Sequence, residues 1–223
     1  IGTMADVVPL TGENRIIVRE GMRLISEGGR TGIKTLKSAA RLDGKKIRSE
    51  SLAFTVVPRI NAAGRIADAG DVVRLFLSDN ESEAEDLSAW LDRLNAERQG
   101  IEEGVREEAF AGLKEKGVDS VAVLSGGGWH QGVLGIVASR VTEQFNRPAF
   151  VFSIEDGIAK GSARSIPSFD ICKALSECRE ILLSFGGHKQ AAGVKLKAER
   201  LPEFEERMRD IFKRTVSGED IVP

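Results

Sequence analysis

From Asn80 to Lys116 the chain contains no proline, and Leu87, Trp90, Leu91, Leu94, Ile101, Val105, Ala109 and Leu113 recur at helical spacing among charged residues. This stretch constrains the fold more than any other. A helix so long and so charged either bridges two domains or belongs to one bundle, and periodicity alone does not choose. Gly117-Val118-Asp119 ends it. Helical periods dominate before that point; short β-branched runs between glycine turns dominate after it. A domain boundary is therefore expected at residue 117.

Ahead of the long helix, Asn14 to Glu27 reads as an amphipathic helix stopped by Gly28-Gly29. Thr31 can cap a second helix reaching Arg41. Ser49 opens a third, Glu50 to Val57, which should end near Pro58. Pro58-Arg59-Ile60-Asn61-Ala62-Ala63-Gly64-Arg65 then sets two arginines around small residues. It reads as a loop packed closely on its surroundings, and the planar arginine fork suits phosphate oxygens. Two solvated surface arginines are the alternative. Val72 to Leu77 forms a short apolar helix, broken by Ser78-Asp79-Asn80, with Asn80 or Ser82 capping the long one. Asp6, among small and apolar neighbours, reads as lying at the end of a buried strand. There it serves either as a metal ligand or, more commonly, as a turn or cap residue.

After the boundary, Ser120 to Leu124 is a strand, Gly126-Gly127-Gly128-Trp129-His130-Gln131-Gly132 a glycine loop, Val133 to Phe145 a helix and Pro148 to Phe152 a second strand. Strand, helix and strand in this order imply parallel pairing through a crossover. A glycine loop before a helix N-terminus suits an anion, although neither a Walker loop nor a dinucleotide fingerprint is present. Glu155-Asp156-Gly157 turns the chain into a strand, Ile158 to Ser165. Alternation there puts Ser162 and Arg164 on one face, a hydroxyl beside a guanidinium. A helix from Pro167-Ser168-Phe169-Asp170 to Leu183 follows, with Ser168 or Asp170 as its cap. Leu201 to Val216 is a terminal helix, and 217–223 reads as a truncated linker.

Gly186-Gly187-His188-Lys189-Gln190-Ala191-Ala192-Gly193 holds one of the chain's two histidines amid residues of almost no bulk. With the apolar segments beside it, the stretch reads as a helix end, a tight loop and a buried strand. Exposed backbone N–H groups, His188 and Lys189 would suit phosphate. A plain glycine cap is the simpler alternative, but Ala191-Ala192-Gly193 extends the low-bulk surface further than a cap needs.

The 223 residues suffice for one large or two small domains. A net charge of −2 excludes a global basic field, so any nucleic-acid site must be a local patch. Few aromatics and no tyrosine argue against an extended base-stacking platform. Cys172 and Cys178 do not share a helix face, so free thiols in a reducing cytoplasm are expected. No apolar run reaches membrane-spanning length, and no signal peptide is evident. The start, without an initiator methionine, reads as the interior of a longer protein.

Five segments together carry a family resemblance: Ala5-Asp6-Val7-Val8-Pro9-Leu10, Pro58 to Arg65, Gly128 to Ala138, Gly161-Ser162-Ala163-Arg164-Ser165 and Gly186 to Gly193. In these the chain resembles the RecJ family of bacterial single-stranded-DNA exonucleases, within the DHH phosphoesterase superfamily. The last segment alone marks only a DHHA1-type domain; the Arg59–Arg65 and Trp129–Gly132 segments are more specific. The resemblance implies an α/β protein: the end of a DHH domain (1–68), connecting helices (69–117), a DHHA1 domain with a mixed β-sheet flanked by helices (118–199), then a terminal helix and linker (200–223). It implies a parent enzyme, cytoplasmic and active in DNA repair and recombination, that uses Mn2+ or Mg2+ to cut single-stranded DNA from its 5′ end. Single-strand-binding protein and helicases would be its partners. Asp6 matches a metal-binding aspartate. The family's Asp-His-His motif has no counterpart here, so the fragment is expected to be inactive alone and not to hold metal stably. Arg59, Asn61, Arg65, His130, Gln131, Ser162, Arg164, Ser165, Gly186, Gly187, His188, Lys189 and Gln190 would contact nucleic acid, with Ser162 and Arg164 at the 5′-phosphate. His188 alone is a candidate for a part in catalysis.

Three other readings compete. Small DHH phosphoesterases that degrade oligoribonucleotides or cyclic dinucleotides share the Gly-Gly-His loop, but usually lack the long helix and the Asn-Ala-Ala-Gly-Arg segment. A purely nucleic-acid-binding module is the second. An appendage of an alanyl-tRNA synthetase is remote, because the residues before the boundary do not fit one.

Overall fold

The computed structural model describes residues 1–6 and 8–216, and the side chains of all of these but Glu115 and Lys116. Val7 and the expected linker at 217–223 lie outside the described residues. Two compact units emerge, 1–99 and 100–223. The division falls inside the long helix, between residues 99 and 100.

The first unit is helical: α1 (Gly2–Ala5), α2 (Gly12–Ser26), α3 (Thr31–Ala39), α4 (Ser49–Ser51), α5 (Val57–Ile66), α6 (Gly70–Leu77) and the first part of α7 (Glu81–Lys116). Its core gathers Leu36, Leu52, Val56, Ala62, Ala63, Leu75, Leu91 and Leu94. Asn80, one of the two expected caps, accepts the Glu83 N–H at 3.2 Å at the start of α7. Thr31 caps nothing; Arg30 holds the cap position without a side-chain bond.

Three expectations change here. Pro58 does not end a helix. A π-helical turn, Leu52–Val56, joins α4 to α5, and the Val57 N–H reaches back to the Leu52 carbonyl. Proline then falls at the first positions of α5, where no N–H is needed. Consequently Asn61-Ala62-Ala63-Gly64 is helix, not loop, and its small residues serve close packing: Ala62 and Ala63 are fully buried. Asp6 ends no strand; it is the exposed C-cap of α1.

The second unit is a five-stranded mixed sheet in the order β1-β2-β3-β5-β4. The strands are β1 (Ala122–Gly127), β2 (Ala149–Glu155), β3 (Ile158–Arg164), β4 (Leu182–His188) and β5 (Ala191–Lys197). β1 and β2 pair in parallel through α8 (Gln131–Phe145), as the strand–helix–strand order required; the other pairs are antiparallel. Against one face, α9 (Ile171–Glu177) and α10 (Leu201–Thr215) pack Phe204, Met208 and Phe212 onto Phe150, Phe152, Ala163, Val194 and Leu196. Phe204 stands edge-on to both Phe150 and Phe152. Against the other face, α8 and the end of α7 bury Val133, Val137, Val141, Val105 and Ala109 on Ala122, Leu124, Ala149 and Val151.

The helix expected to reach Leu183 stops at Glu177, with Asp170 as its N-cap, accepting from the Lys173 N–H at 3.1 Å. A 3-10 turn, Arg179–Ile181, leads directly into β4. Gly186-Gly187-His188 is therefore the end of an edge strand and not a loop after a helix. Apolar residues at 181–183 satisfy either period, and pairing with β5 decided for the strand.

Phe204→Ala should destabilise this unit by about 3–5 kcal/mol in urea unfolding, the cost of deleting a buried aromatic ring. Both cysteines are free, Cys178 fully buried and Cys172 partly exposed. Burial pushes the Cys178 thiol up to about 11. The unfolded chain therefore ionises first, and Cys178 adds stability that is lost as pH rises from about 9 towards 11. A native thiol-alkylation assay near pH 8 should label Cys172 and spare Cys178 until the protein unfolds.

Candidate nucleic-acid interface

Cross-strand register builds the candidate surface. On the face that carries α8, three rows cross the sheet. The first is Ala122–Ala149–Arg164–Ala191–His188. The second is Leu124–Val151–Ser162–Gly193–Gly186, and the third Gly126–Ser153–Lys160–Lys195–Ser184. The helix α8 packs on β2 and β3. Beyond them the face is open: Gly193, Gly186 and His188 are exposed, while Ala192, Val194 and Leu196 alternate into the core.

Ser162 and Arg164 sit at the edge of α8, half-buried and on one face as alternation required. Arg164 Nη1 donates to Ser162 Oγ at 3.2 Å and to the Ala163 carbonyl at 2.9 Å. Gly135 makes the space for them: a methyl group there would stand 3.0 Å from Ser162 Oγ and 3.1 Å from Arg164 Nη2. Ser165 turns away. It is buried, and its hydroxyl donates to the Phe169 carbonyl at 2.7 Å, so it shapes the loop after β3.

That loop is tied to the β4–β5 turn. The Ser165 N–H donates to the Gln190 carbonyl at 3.0 Å and the Ile171 N–H to the Lys189 carbonyl at 3.1 Å. Gln190 Nε2 adds a bond to the Ile166 carbonyl at 3.3 Å. These bonds bring His188, Lys189 and Gln190 to the end of the sheet where Arg164 lies. Within the turn, the Gln190 N–H donates to His188 Nδ1 at 3.3 Å, which leaves the neutral ring's hydrogen on Nε2. Gly187 has φ +152°, and a methyl group there would meet the Ala191 carbonyl oxygen at 2.3 Å. Only glycine fits.

His130 and Gln131 lie towards the opposite end, where β1 finishes and α8 begins. Gly126 and Gly127 belong to β1, and the Trp129 ring lies over Gly126. Trp129 is buried, and its Nε1 donates to Glu108 Oε2 at 2.8 Å. His130 is the N-cap of α8, its Nδ1 accepting the Gly132 N–H at 3.1 Å. The imidazole thus takes one of the backbone donors that the glycine loop was expected to offer an anion.

Arg59, Asn61 and Arg65 share α5 in the first unit. Asn61 and Arg65 are exposed. Arg59 is largely enclosed: Nε and Nη2 lie 2.8 and 2.7 Å from Asp92 Oδ1, and Nη1 donates to the Thr55 carbonyl at 2.6 Å. Its guanidinium holds α5 to α7. No set of three or more His, Cys, Asp or Glu side chains converges as a metal site among the described residues.

Lys160 and Lys195 were passed over in the sequence. Lys160 shares the alternation of Ser162 and Arg164; Lys195 could be matched to it only through register.

Residues 118–214 match the DHHA1 domain family. They form a DHHA1 domain. Over the whole chain, 44% of residues are identical to the single-stranded-DNA-specific exonuclease RecJ of Bacillus subtilis, of which the chain covers 29%. The crystal structure of RecJ from Thermus thermophilus with Mg2+ superposes with a TM-score of 0.86 at 37% identity, over 96% of this chain and 33% of that one. The same enzyme with Mn2+ gives 0.87, also at 37% identity, over 97% and 32%. The chain thus spans about a third of the length of these relatives. The DHHA1 domain as matched extends through α10, whereas the sequence reading stopped it at residue 199. Among the described residues no helix is long and apolar enough to cross a membrane.

Gly187→Ala should cost about 1–3 kcal/mol in thermal unfolding, as overpacking does. It should also disturb the amide resonances of Ser165 and Ile171, which the turn anchors; unchanged stability and spectra would contradict the close approach.

Proposed function

We propose that this chain is the strand-holding part of a metal-dependent exonuclease that degrades single-stranded DNA from the 5′ end in repair and recombination. The row register carries the reading: it gathers Arg164, Ser162 and His188 on an open sheet face floored by Gly193 and Gly186. A phosphate lying there meets a guanidinium, a hydroxyl and an imidazole Nε2–H, and the glycines let it approach the backbone. Ser162 and Arg164 take the 5′-terminal phosphate, which sets the direction of cutting. Gly186, Gly187, His188, Lys189 and Gln190 hold the neighbouring backbone. His188 positions the phosphate through its Nε2–H, with the ring oriented by the Gln190 N–H on Nδ1. His130 and Gln131 at the start of α8 add contacts further along the strand, and Arg59, Asn61 and Arg65 on α5 are nucleic-acid contacts of the first unit.

Mg2+ or Mn2+, the ions in the Thermus thermophilus structures, would serve the complete enzyme. Asp6 would be the one ligand contributed by this chain, and the others would come from elsewhere in the enzyme, so the chain alone holds DNA without cutting it. Single-strand-binding protein and helicases are the partners this role implies, in the cytoplasm.

Arg164→Ala should weaken binding of a 5′-phosphorylated single strand by about 1.5–3 kcal/mol, the worth of a charge-assisted hydrogen bond, and should erase the preference for a 5′-phosphate over a 5′-hydroxyl. Fluorescence anisotropy measures both, and equal affinities for variant and parent would refute the assignment. A nuclease assay of this chain with Mn2+ should show no turnover; turnover would overturn the strand-holding role.

A further inference from the structure

Lys160 on β3 and Lys195 on β5 stand directly opposite each other in the antiparallel ladder. Both are half-buried. Like charges in this position destabilise a sheet, and among the described residues neither lysine has an ion-pair partner. The next lysine along β5 contrasts with them: Lys197 lies 3.7 Å from Glu199. No carboxylate occurs in the rows of Arg164, Ser162 or Lys160. The two lysines share the face of Ser162 and Arg164, with only Ser162, Gly193 and Gly186 between the outer rows on β3, β5 and β4. They also lie at the end of the sheet where β1 finishes and α8 begins, so the positive end of that helix reinforces them.

We propose that Lys160 and Lys195 form a second phosphate-binding position for the same single strand. Four residues along β3 separate it from Arg164, about 13 Å. It rests on the reading of this face as a single-strand surface. A strand entering at Arg164 and His188 crosses the glycine floor and places a later backbone phosphate between the two ammonium groups. The phosphate removes the repulsion that the empty sheet carries. Ammonium groups act on phosphate as point charges, so this position grips without reading sequence. It also links the Arg164 end to His130 and Gln131, which the fold sets apart.

The test compares the chain with its Lys160→Gln/Lys195→Gln variant in anisotropy titrations between about 50 and 200 mM salt. One probe is a 5′-phosphorylated dinucleotide, too short to leave the Arg164 end. The other is a 5′-phosphorylated strand long enough to cross all three rows. For the long strand, the slope of log affinity against log salt should shrink by about 0.7 for each phosphate that the variant no longer neutralises. Dinucleotide affinity should be unchanged. Arg164→Ala should weaken both probes, and Lys213→Gln on α10, on the other side of the sheet, neither. Without nucleic acid, either single lysine variant should melt no lower than the parent, because it relieves a repulsion. That readout also guards against misfolding. An unchanged slope in the double variant, with Arg164→Ala still impaired, would overturn the second position and leave the single-strand face standing. Absence of binding to either probe by the parent would overturn both.

Discussion

The ladder of β3, β5 and β4 fixes which side chains meet on each side of the sheet, and everything proposed for this protein depends on it. Side chains alternate, so Ala159, Gly161 and Ala163 turn to Phe152 and Phe204 while Lys160, Ser162 and Arg164 turn the other way. A slip of one residue would drive a guanidinium and an ammonium into an aromatic core. The Phe150–Phe204–Phe152 cluster therefore does more than stabilise: it locks the polar face in register.

The second constraint is the turn between β4 and β5. A hairpin at the edge of a sheet is free to fray, but this one is bound to the loop after β3 by two backbone bonds and the Gln190 side chain. The same tie that buries Ser165 holds His188 near Arg164. Small residues follow from these close approaches. Gly187 makes room for the Ala191 carbonyl, and Gly135 for the Arg164 guanidinium. Within the Gly-Gly-His segment it is Gly187 whose small size the structure requires.

Much of this was legible in the sequence. The long helix, the strand–helix–strand unit, the turn at Asp156-Gly157 and the pairing of Ser162 with Arg164 all follow from local periods and turn chemistry. The misreadings have local causes as well. Leu182 and Leu183 fit a helix until a partner strand is known. Pro58 normally stops a helix, but a π turn can carry it into the next one. Asn-Ala-Ala-Gly looks like a loop when its neighbours are unseen, and Ala62 and Ala63 prove to be helix residues in a tight core.

The sequence by itself determined most of the elements, their order, the DHHA1 character of residues 118–214 and the chemistry of the side chains on the polar face. Those properties are written in short-range periodicity and in residue chemistry. Tertiary structure alone decided that Lys195 faces Lys160, that Arg59 is held by Asp92, that His130 caps α8, and that His188 lies in the row of Arg164. Each of these joins positions through pairing or packing that no local pattern encodes, because register is set by the whole buried face and not by any one strand.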